Sequence, residues 1–93
     1  MNPVITEERF RELLREYPDM PHYRAEPGKV KIPAAWLIEY CGWKGKRVGA
    51  AGVHKHQALV LVNHGGAKSQ EILLLATAIQ DSVSKAVWHQ TGA

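Results

Sequence analysis

Apolar side chains recur at helical spacing near the start of the chain. The residues in this stripe are Phe10, Leu13, Leu14 and Tyr17. Their period predicts a helix over residues 6–16. Thr6 is suited to cap its N-terminus, and Pro18 ends it because the residue before a proline is pushed out of the helical region. Ile5 is placed to pack against Phe10 as a hydrophobic staple.

Two further helices follow from the same reasoning. "PAAWLIEYC" predicts a short, largely buried helix that begins at Pro33 and reaches Cys41, with Gly42 supplying the left-handed residue that ends it. A long helix is predicted over Ser69–Trp88, because one apolar stripe runs along it. The stripe contains Ile72, Ala76, Ile79, Val83 and Val87.

The rest of the chain has the pattern of loops and strands. Residues 18–29 hold three of the five prolines and predict a surface loop, and Val30–Ile32 predicts a short extended piece. A tight turn at Trp43–Lys46 is predicted to lead into a strand at Val48–Val53. A second strand is predicted at Ala58–Asn63, where "ALVLV" is apolar on both faces and is typical of a central strand covered by helices.

These elements predict one domain of the α+β class, in which a small antiparallel sheet packs with helices. The order is helix, loop, helix, strand, strand, long helix. Two strands alone make a weak sheet, so a third strand must come from elsewhere in the chain or from outside it. A sheet edge left without a partner would be a site for dimerisation or strand swapping.

The net charge is +3, and the cations concentrate in the central third of the chain. The residues are Lys29, Lys31, Lys44, Lys46, Arg47 and Lys55. Because the cluster is compact and glycine-rich and does not form a long stripe, it favours a diphosphate over a long polyanion, with an ordinary solvated face as the alternative. No apolar run is long enough for a bilayer, the first residues contain no apolar stretch of signal-peptide type, and Cys41 is the only cysteine, so we expect a cytoplasmic protein.

Three other groups of side chains invite a chemical interpretation. His54 and His56 alternate along "VHKHQ" and could share a metal ion, but surface histidines are the commoner case and no third ligand follows from spacing. Cys41 ends an apolar helix, where a thiol is more often inert than nucleophilic. Trp43 lies in the basic turn, where an exposed ring could stack on a nucleic-acid base.

The two remaining tryptophans, Trp36 and Trp88, lie on helical faces and are predicted to belong to the core. The alternative interpretation of the chain as a small basic nucleic-acid-binding module therefore depends on Trp43 and the basic turn alone. A structural fragment without a ligand is a third interpretation.

Three long segments carry a more specific signal. They are "NPVITEERFRELLREYPDMPHY", "VKIPAAWLIEYCGWKG" and "VGAAGVHKHQALVLVNHGGAKSQEIL". Together, from Asn2 to about Val83, they resemble the C-terminal domain of UDP-N-acetylenolpyruvoylglucosamine reductase, also called UDP-N-acetylmuramate dehydrogenase. The resemblance implies an oxidoreductase of bacterial peptidoglycan synthesis. In this family NADPH reduces a bound FAD, and the flavin reduces the enolpyruvyl group of a UDP-sugar.

The resemblance also implies which residues bind the substrate. Asn2 and Tyr23 match positions that touch the nucleotide, Lys44 matches a lysine on the diphosphate, and Gln57 matches a glutamine on the uridine. Lys31 is a further member of this substrate-binding set, and its match to the family is less direct. The family holds FAD in two upstream domains, so the implied partners of this chain are those domains and the UDP-sugar. The resemblance implies no cofactor or metal within this segment.

Two features of the family have no counterpart in these 93 residues. The family's proton-donating serine lies in a "GSFFK" segment just before "NP", whereas here Met1 precedes Asn2 directly. The family also continues into "LEPEV", which supplies an active-site glutamate, whereas this chain ends in "VWHQTGA". We therefore expect the segment alone to bind substrate without catalysing a reaction, and to contain no catalytic residue.

Overall fold

Three helices and two small antiparallel sheets make up the protein, which confirms the α+β class predicted from the sequence. The computed structural model describes residues 2–88. The helices are α1 (Glu7–Glu16), α2 (Ala34–Tyr40) and α3 (Ser69–Trp88). The strands are β1 (Val4–Thr6), β2 (Tyr23–Arg24), β3 (Lys29–Lys31), β4 (Arg47–Val48), β5 (Ala51–Val53) and β6 (Leu61–Asn63).

Helix α1 has the ends that its sequence predicts. Thr6 is its N-cap, and the Oγ1 of Thr6 accepts a hydrogen bond of 3.1 Å from the backbone N–H of Arg9. The helix ends at Tyr17, whose N–H donates to the carbonyl of Leu13. Leu13 is buried, and Phe10 packs against the same apolar cluster.

The first sheet, which we call the N-terminal sheet, has the strand order β1-β3-β2. Val4 and Tyr23 both lie opposite Lys31, one from each neighbouring strand. The prediction of a plain loop over residues 18–29 was wrong for β2, and β1 was not predicted. Both strands are too short to show a hydrophobic alternation, and β3 positions them through hydrogen bonds between distant parts of the chain.

The second sheet, which we call the central sheet, has the order β4-β5-β6. The prediction of one strand over Val48–Val53 was wrong, because the chain reverses at Gly49, where φ is +62°, and forms a hairpin of β4 and β5. The buried central strand is β5, and β6 lies at an edge. The third strand therefore comes from within the chain. Dimerisation through a sheet edge stays a prediction.

Two apolar clusters lie along the molecule instead of one. The first core contains Ile5, Leu13, Met20, Val30, Ile32, Leu37 and Val87. The second core contains Ile38, Ala51, Val53, Ala58, Leu75 and Ile79. Consecutive buried residues of α2 enter different cores, and Val83 of α3 packs against both. The protein is accordingly elongated, with extents of 45 × 27 × 20 Å.

Helix α3 runs along both cores. Its 20 residues span about 30 Å at the α-helical rise. The predicted stripe faces inward in part, since Ile79 and Val87 are buried. Trp36 packs against the first core as expected, but the prediction of a core position for Trp88 was wrong, because 51% of this residue is exposed. Within residues 2–88, no helix has the length and apolarity needed to cross a membrane.

Candidate functional site

Helix α2 is the support on which the candidate site is built. The structure places Pro33 at the N-cap, where it has no side chain able to bond the helix. Asn2 takes over that role, because its Oδ1 accepts a hydrogen bond of 2.9 Å from the backbone N–H of Ala34. A residue from the start of the chain thus caps a helix that begins much later, and Asn2 is fixed beside the first turn of α2.

The C-terminus of α2 is closed by the glycine that the sequence predicts. Gly42 has φ +85°, and its N–H donates to the carbonyl of Glu39. The N–H of Trp43 donates to the carbonyl of Ile38 at 3.1 Å. These two bonds form a Schellman motif, which requires a left-handed residue at the position of Gly42. The backbone around Glu39 is therefore held by hydrogen bonds at the point where the helix ends.

The predicted tight turn at Trp43–Lys46 is confirmed and carries Lys44. The N–H of Lys46 donates to the carbonyl of Trp43 at 2.9 Å, and Gly45 has φ +77° at the third position, as a type II turn requires. The Nζ of Lys44 lies 3.2 Å from Oε1 of Glu39. The Lys44 side chain is 32% exposed, so its charge is near the surface but partly enclosed.

Gln57 lies in a loop over residues 54–60. The second strand was predicted to begin at Ala58, but residues 58–60 belong to this loop and β6 begins at Leu61. The loop is closed by a bond of 2.8 Å from the N–H of His54 to the carbonyl of Val60. A second bond, from the N–H of Val60 to the carbonyl of Gln57, tightens the turn. This folded loop lies against α2 and brings Gln57 to a cavity that Lys44 also lines.

This smaller cavity has a volume of about 300 Å³. Its lining consists of Ala35, Glu39, Lys44, His56, Gln57, Ala58 and Leu59. Ala35 and Glu39 are four residues apart on α2 and so share one helix face. The cavity therefore combines one face of α2, the basic turn and the 54–60 loop, and its polar groups are a carboxylate, an ammonium, an imidazole and an amide.

A larger and mostly apolar cavity of about 620 Å³ adjoins the first. Asn2, Val4 and Trp88 are among the residues that line it. Leu59 lines both cavities, so they meet at this side chain. Asn2 thus lines one cavity and Lys44 and Gln57 line the other, and Leu59 is common to both.

Tyr23 and Lys31 line neither cavity and lie on the outer face of the N-terminal sheet. Residues directly opposite on neighbouring strands share a sheet face, and Lys31 lies between Tyr23 and Val4. All three are exposed, and Val4 also lines the larger cavity. A row of three side chains therefore leads from Tyr23 to the edge of that cavity.

The other candidate residues take ordinary structural positions. His54 and His56 lie in the 54–60 loop, and the Nδ1 of His54 accepts a hydrogen bond of 3.0 Å from the N–H of His56. Within residues 2–88, no three side chains of the metal-binding types come together. Cys41 is half-buried at the C-cap of α2.

Trp43 does not offer a free ring for stacking. It is half-buried and packs against the second core. The Nζ of Lys46 lies 4.7 Å from the centroid of its ring, in cation–π geometry. One cation of the basic cluster therefore already covers the aromatic surface on which the nucleic-acid interpretation depended, and that interpretation is not supported.

The sequence alone did not point to Glu39 or Leu59. Glu39 stood in a helix predicted to be largely buried, yet it is exposed and paired with Lys44. Leu59 belonged to a predicted central strand but lies in the loop, 60% exposed. One local signal could have identified Glu39: it lies four residues after Ala35 on the same helix, so the two residues share a helix face.

Comparisons with known proteins place this chain in a family. A family model for the C-terminal domain of UDP-N-acetylenolpyruvoylglucosamine reductase matches residues 1–90. A protein named UDP-N-acetylenolpyruvoylglucosamine reductase from Bacteroides fragilis is 53% identical over 83 residues, which cover 89% of this chain and 25% of that relative. Relatives with the same name from Paraburkholderia phymatum and Burkholderia ambifaria are 52% and 55% identical over 84 residues.

Each of the latter two alignments covers 90% of this chain and 24% of the relative. The chain thus spans about a quarter of the length of the relatives it matches. Because a model of the domain covers nearly every residue and about half of the aligned positions are identical, the chain belongs to the family of the C-terminal domain of UDP-N-acetylenolpyruvoylglucosamine reductase.

Proposed function

We propose that this chain is the substrate-binding domain of a cytoplasmic UDP-N-acetylenolpyruvoylglucosamine reductase. The parent enzyme would convert the enolpyruvyl ether of UDP-N-acetylglucosamine to UDP-N-acetylmuramate in peptidoglycan synthesis. Membership of the family supports the activity of the parent. The observation that carries the role of this domain is the smaller cavity, because Lys44 and Gln57 line it together.

The chemistry of that cavity suits the two halves of a uridine diphosphate. The ammonium of Lys44 has three donors, one of which is directed to Glu39, so others can bind phosphate oxygens. The amide of Gln57 offers both donors and an acceptor, as the edge of uracil requires. We propose that Lys44 binds the diphosphate and that Gln57 binds the uracil.

Asn2, Tyr23 and Lys31 extend this binding surface. The Oδ1 of Asn2 is occupied by Ala34, so its amide NH₂ is the group that can donate to a ligand. The exposed phenol of Tyr23 and the ammonium of Lys31 lie side by side across β2 and β3. We propose that all three contact the substrate.

The separation of the two groups of residues fits a long ligand. Asn2 is at the N-terminus of α2, and Lys44 follows its C-terminus. The seven residues of α2 span about 10 Å at the helical rise. A nucleotide sugar carries a base, a ribose, a diphosphate and a sugar in series, so one molecule can lie along the helix and contact both groups.

FAD and NADPH are proposed to bind elsewhere in the parent protein. Every strand pair among residues 2–88 is antiparallel, so this part of the chain lacks the parallel strand–helix–strand unit that commonly binds a dinucleotide. The flavin would supply hydride to the substrate. The part proposed for this single domain is to hold the UDP portion, and other domains of the parent are its proposed partners.

Titration of UDP and of uridine into the 93-residue protein, followed by amide chemical shifts, tests the proposal. Lys44→Met is expected to weaken UDP binding about tenfold or more, because a charged hydrogen bond is lost, and to change uridine binding much less. Gln57→Ala is expected to weaken both ligands. Lys68→Met removes the same charge from an exposed residue away from both cavities and serves as the control.

Absence of any shift at millimolar UDP in the unmodified protein would refute substrate binding by this domain. Binding of oligonucleotides that tightens with their length and falls steeply with salt would instead indicate a nucleic-acid module.

A further inference from the structure

A negative charge stands beside the cation to which the diphosphate is proposed to bind. Glu39 and Lys44 both line the smaller cavity, and their charged atoms are 3.2 Å apart. Two other ion pairs are found within residues 2–88, and both lie on α1. They are Arg9–Glu12 and Arg11–Glu7. The Glu39–Lys44 pair is therefore set apart by its position at a cavity.

The backbone holds both members of this pair. The carbonyl of Glu39 accepts the N–H of Gly42 in the Schellman motif, and Lys44 is the second residue of a hydrogen-bonded turn. Both side chains consequently start from fixed positions. The Glu39 side chain is 57% exposed and that of Lys44 is 32% exposed, so the carboxylate lies on the open side of the pair.

We propose that Glu39 sets the charge selectivity of the pocket, an inference that rests on the proposed binding of a nucleotide diphosphate. With Glu39 in place, the two charges cancel, and the cavity wall offers little net attraction for additional negative charge. A nucleotide sugar has both ends of its diphosphate esterified. UDP has a free terminal phosphate and carries one more negative charge. The pair thus removes the advantage that free UDP would have at a lone lysine.

The size of the effect follows from the geometry. The N–H donors of an ammonium diverge at a tetrahedral angle, and the Nζ of Lys44 lies 3.2 Å from the carboxylate of Glu39. A phosphate oxygen at a similar contact distance would therefore be about 5 Å from that carboxylate, close enough for repulsion between the two negative charges. Solvent screening at this half-exposed site reduces the repulsion to a modest value. Removing the charge of Glu39 is therefore expected to raise the affinity for UDP about threefold to tenfold.

The test compares three ligands on Glu39→Gln, which keeps the shape and an acceptor oxygen for Lys44. The ligands are uridine, UDP and UDP-N-acetylglucosamine, measured by calorimetry or amide shifts at one pH. The variant is expected to bind UDP about threefold to tenfold more tightly than the unmodified protein, UDP-N-acetylglucosamine with a smaller gain, and uridine unchanged. Its UDP affinity should also fall more steeply with salt.

The control is Glu71→Gln, which removes the same charge from an exposed residue in the first turn of α3 and should leave all three affinities unchanged. Unchanged or weaker UDP binding by Glu39→Gln, while the unmodified protein binds UDP, overturns this inference and leaves the proposed function standing. Weaker binding would show that Glu39 orients Lys44. If neither protein binds UDP or the nucleotide sugar, the proposed function fails as well.

Discussion

Asn2 caps α2 and is also proposed to bind the ligand, and two substitutions at this residue distinguish the two roles. Asn2→Ala removes the side-chain acceptor that bonds the first turn of α2, since Pro33 at the N-cap provides none. Loss of such a cap costs about 1 kcal/mol, with a range of about 0.5–2. In a domain of this size, that loss lowers the melting temperature by about 4–8 °C.

Asn2→Asp provides the matched variant. It keeps an acceptor oxygen for the N–H of Ala34 and adds a negative charge at the positive end of the helix, so its melting temperature is expected to equal or exceed that of the unmodified protein. It should nevertheless bind UDP more weakly, because the amide donor is lost and a carboxylate faces the ligand. Thermal unfolding followed by far-ultraviolet circular dichroism measures stability, and the UDP titration measures binding.

Two results would refute the reasoning. A melting temperature for Asn2→Ala equal to that of the unmodified protein would show that the 2.9 Å bond contributes nothing to stability. A loss of stability in Asn2→Asp as large as that in Asn2→Ala would show that the acceptor oxygen is not what matters at this position.

Three further predictions concern stability. Arg9→Met removes a partly buried hydrogen bond of 2.6 Å from Nε to the carbonyl of Val87, together with the surface ion pair to Glu12. The charged hydrogen bond is the larger contribution, so the free energy of unfolding in urea should fall by about 1.5–3 kcal/mol. Stability equal to that of the unmodified protein would contradict this prediction. Gly42→Ala should cost about 1–2 kcal/mol in the same assay, purely from the left-handed backbone, because a Cβ at that site meets no atom within 4 Å. Burial, and next the charge of Glu16, raises the pKa of Tyr17 above 10.0, so the folded state holds the proton more tightly than the unfolded state. That contribution is complete below about pH 10 and is lost as the pH rises through the raised pKa; Tyr17→Phe should flatten this alkaline decline, and an unchanged pH profile would contradict the assignment.

Features with local causes could be predicted from the sequence. Thr6 caps α1 because its own side chain reaches the N–H of Arg9, three residues away. Gly42 ends α2, and Gly45 makes the turn after it, because each position requires a positive φ. These interactions join residues within one turn of chain, so residue type and spacing are enough to identify them.

Features that depend on contacts between distant parts of the chain could not be predicted from the sequence. β2 is two residues long and forms only by pairing with β3, so no periodicity marks it. The chain reverses at Gly49 within an apolar run whose pattern predicts one continuous strand. The common cavity of Lys44 and Gln57 likewise depends on how the 54–60 loop folds against α2, which spacing along the chain does not encode.

The position of α3 along both apolar clusters determines how the protein loses its structure. Val87 is fully buried in the first core, and Leu75 and Ile79 are buried in the second. Each cluster is too small to stabilise a separate unit, since domains below about 40 residues usually need extra cross-links. Detachment of α3 would open both at once, so the chain should denature in a single cooperative transition. A destabilising change at either end will then weaken the whole molecule equally.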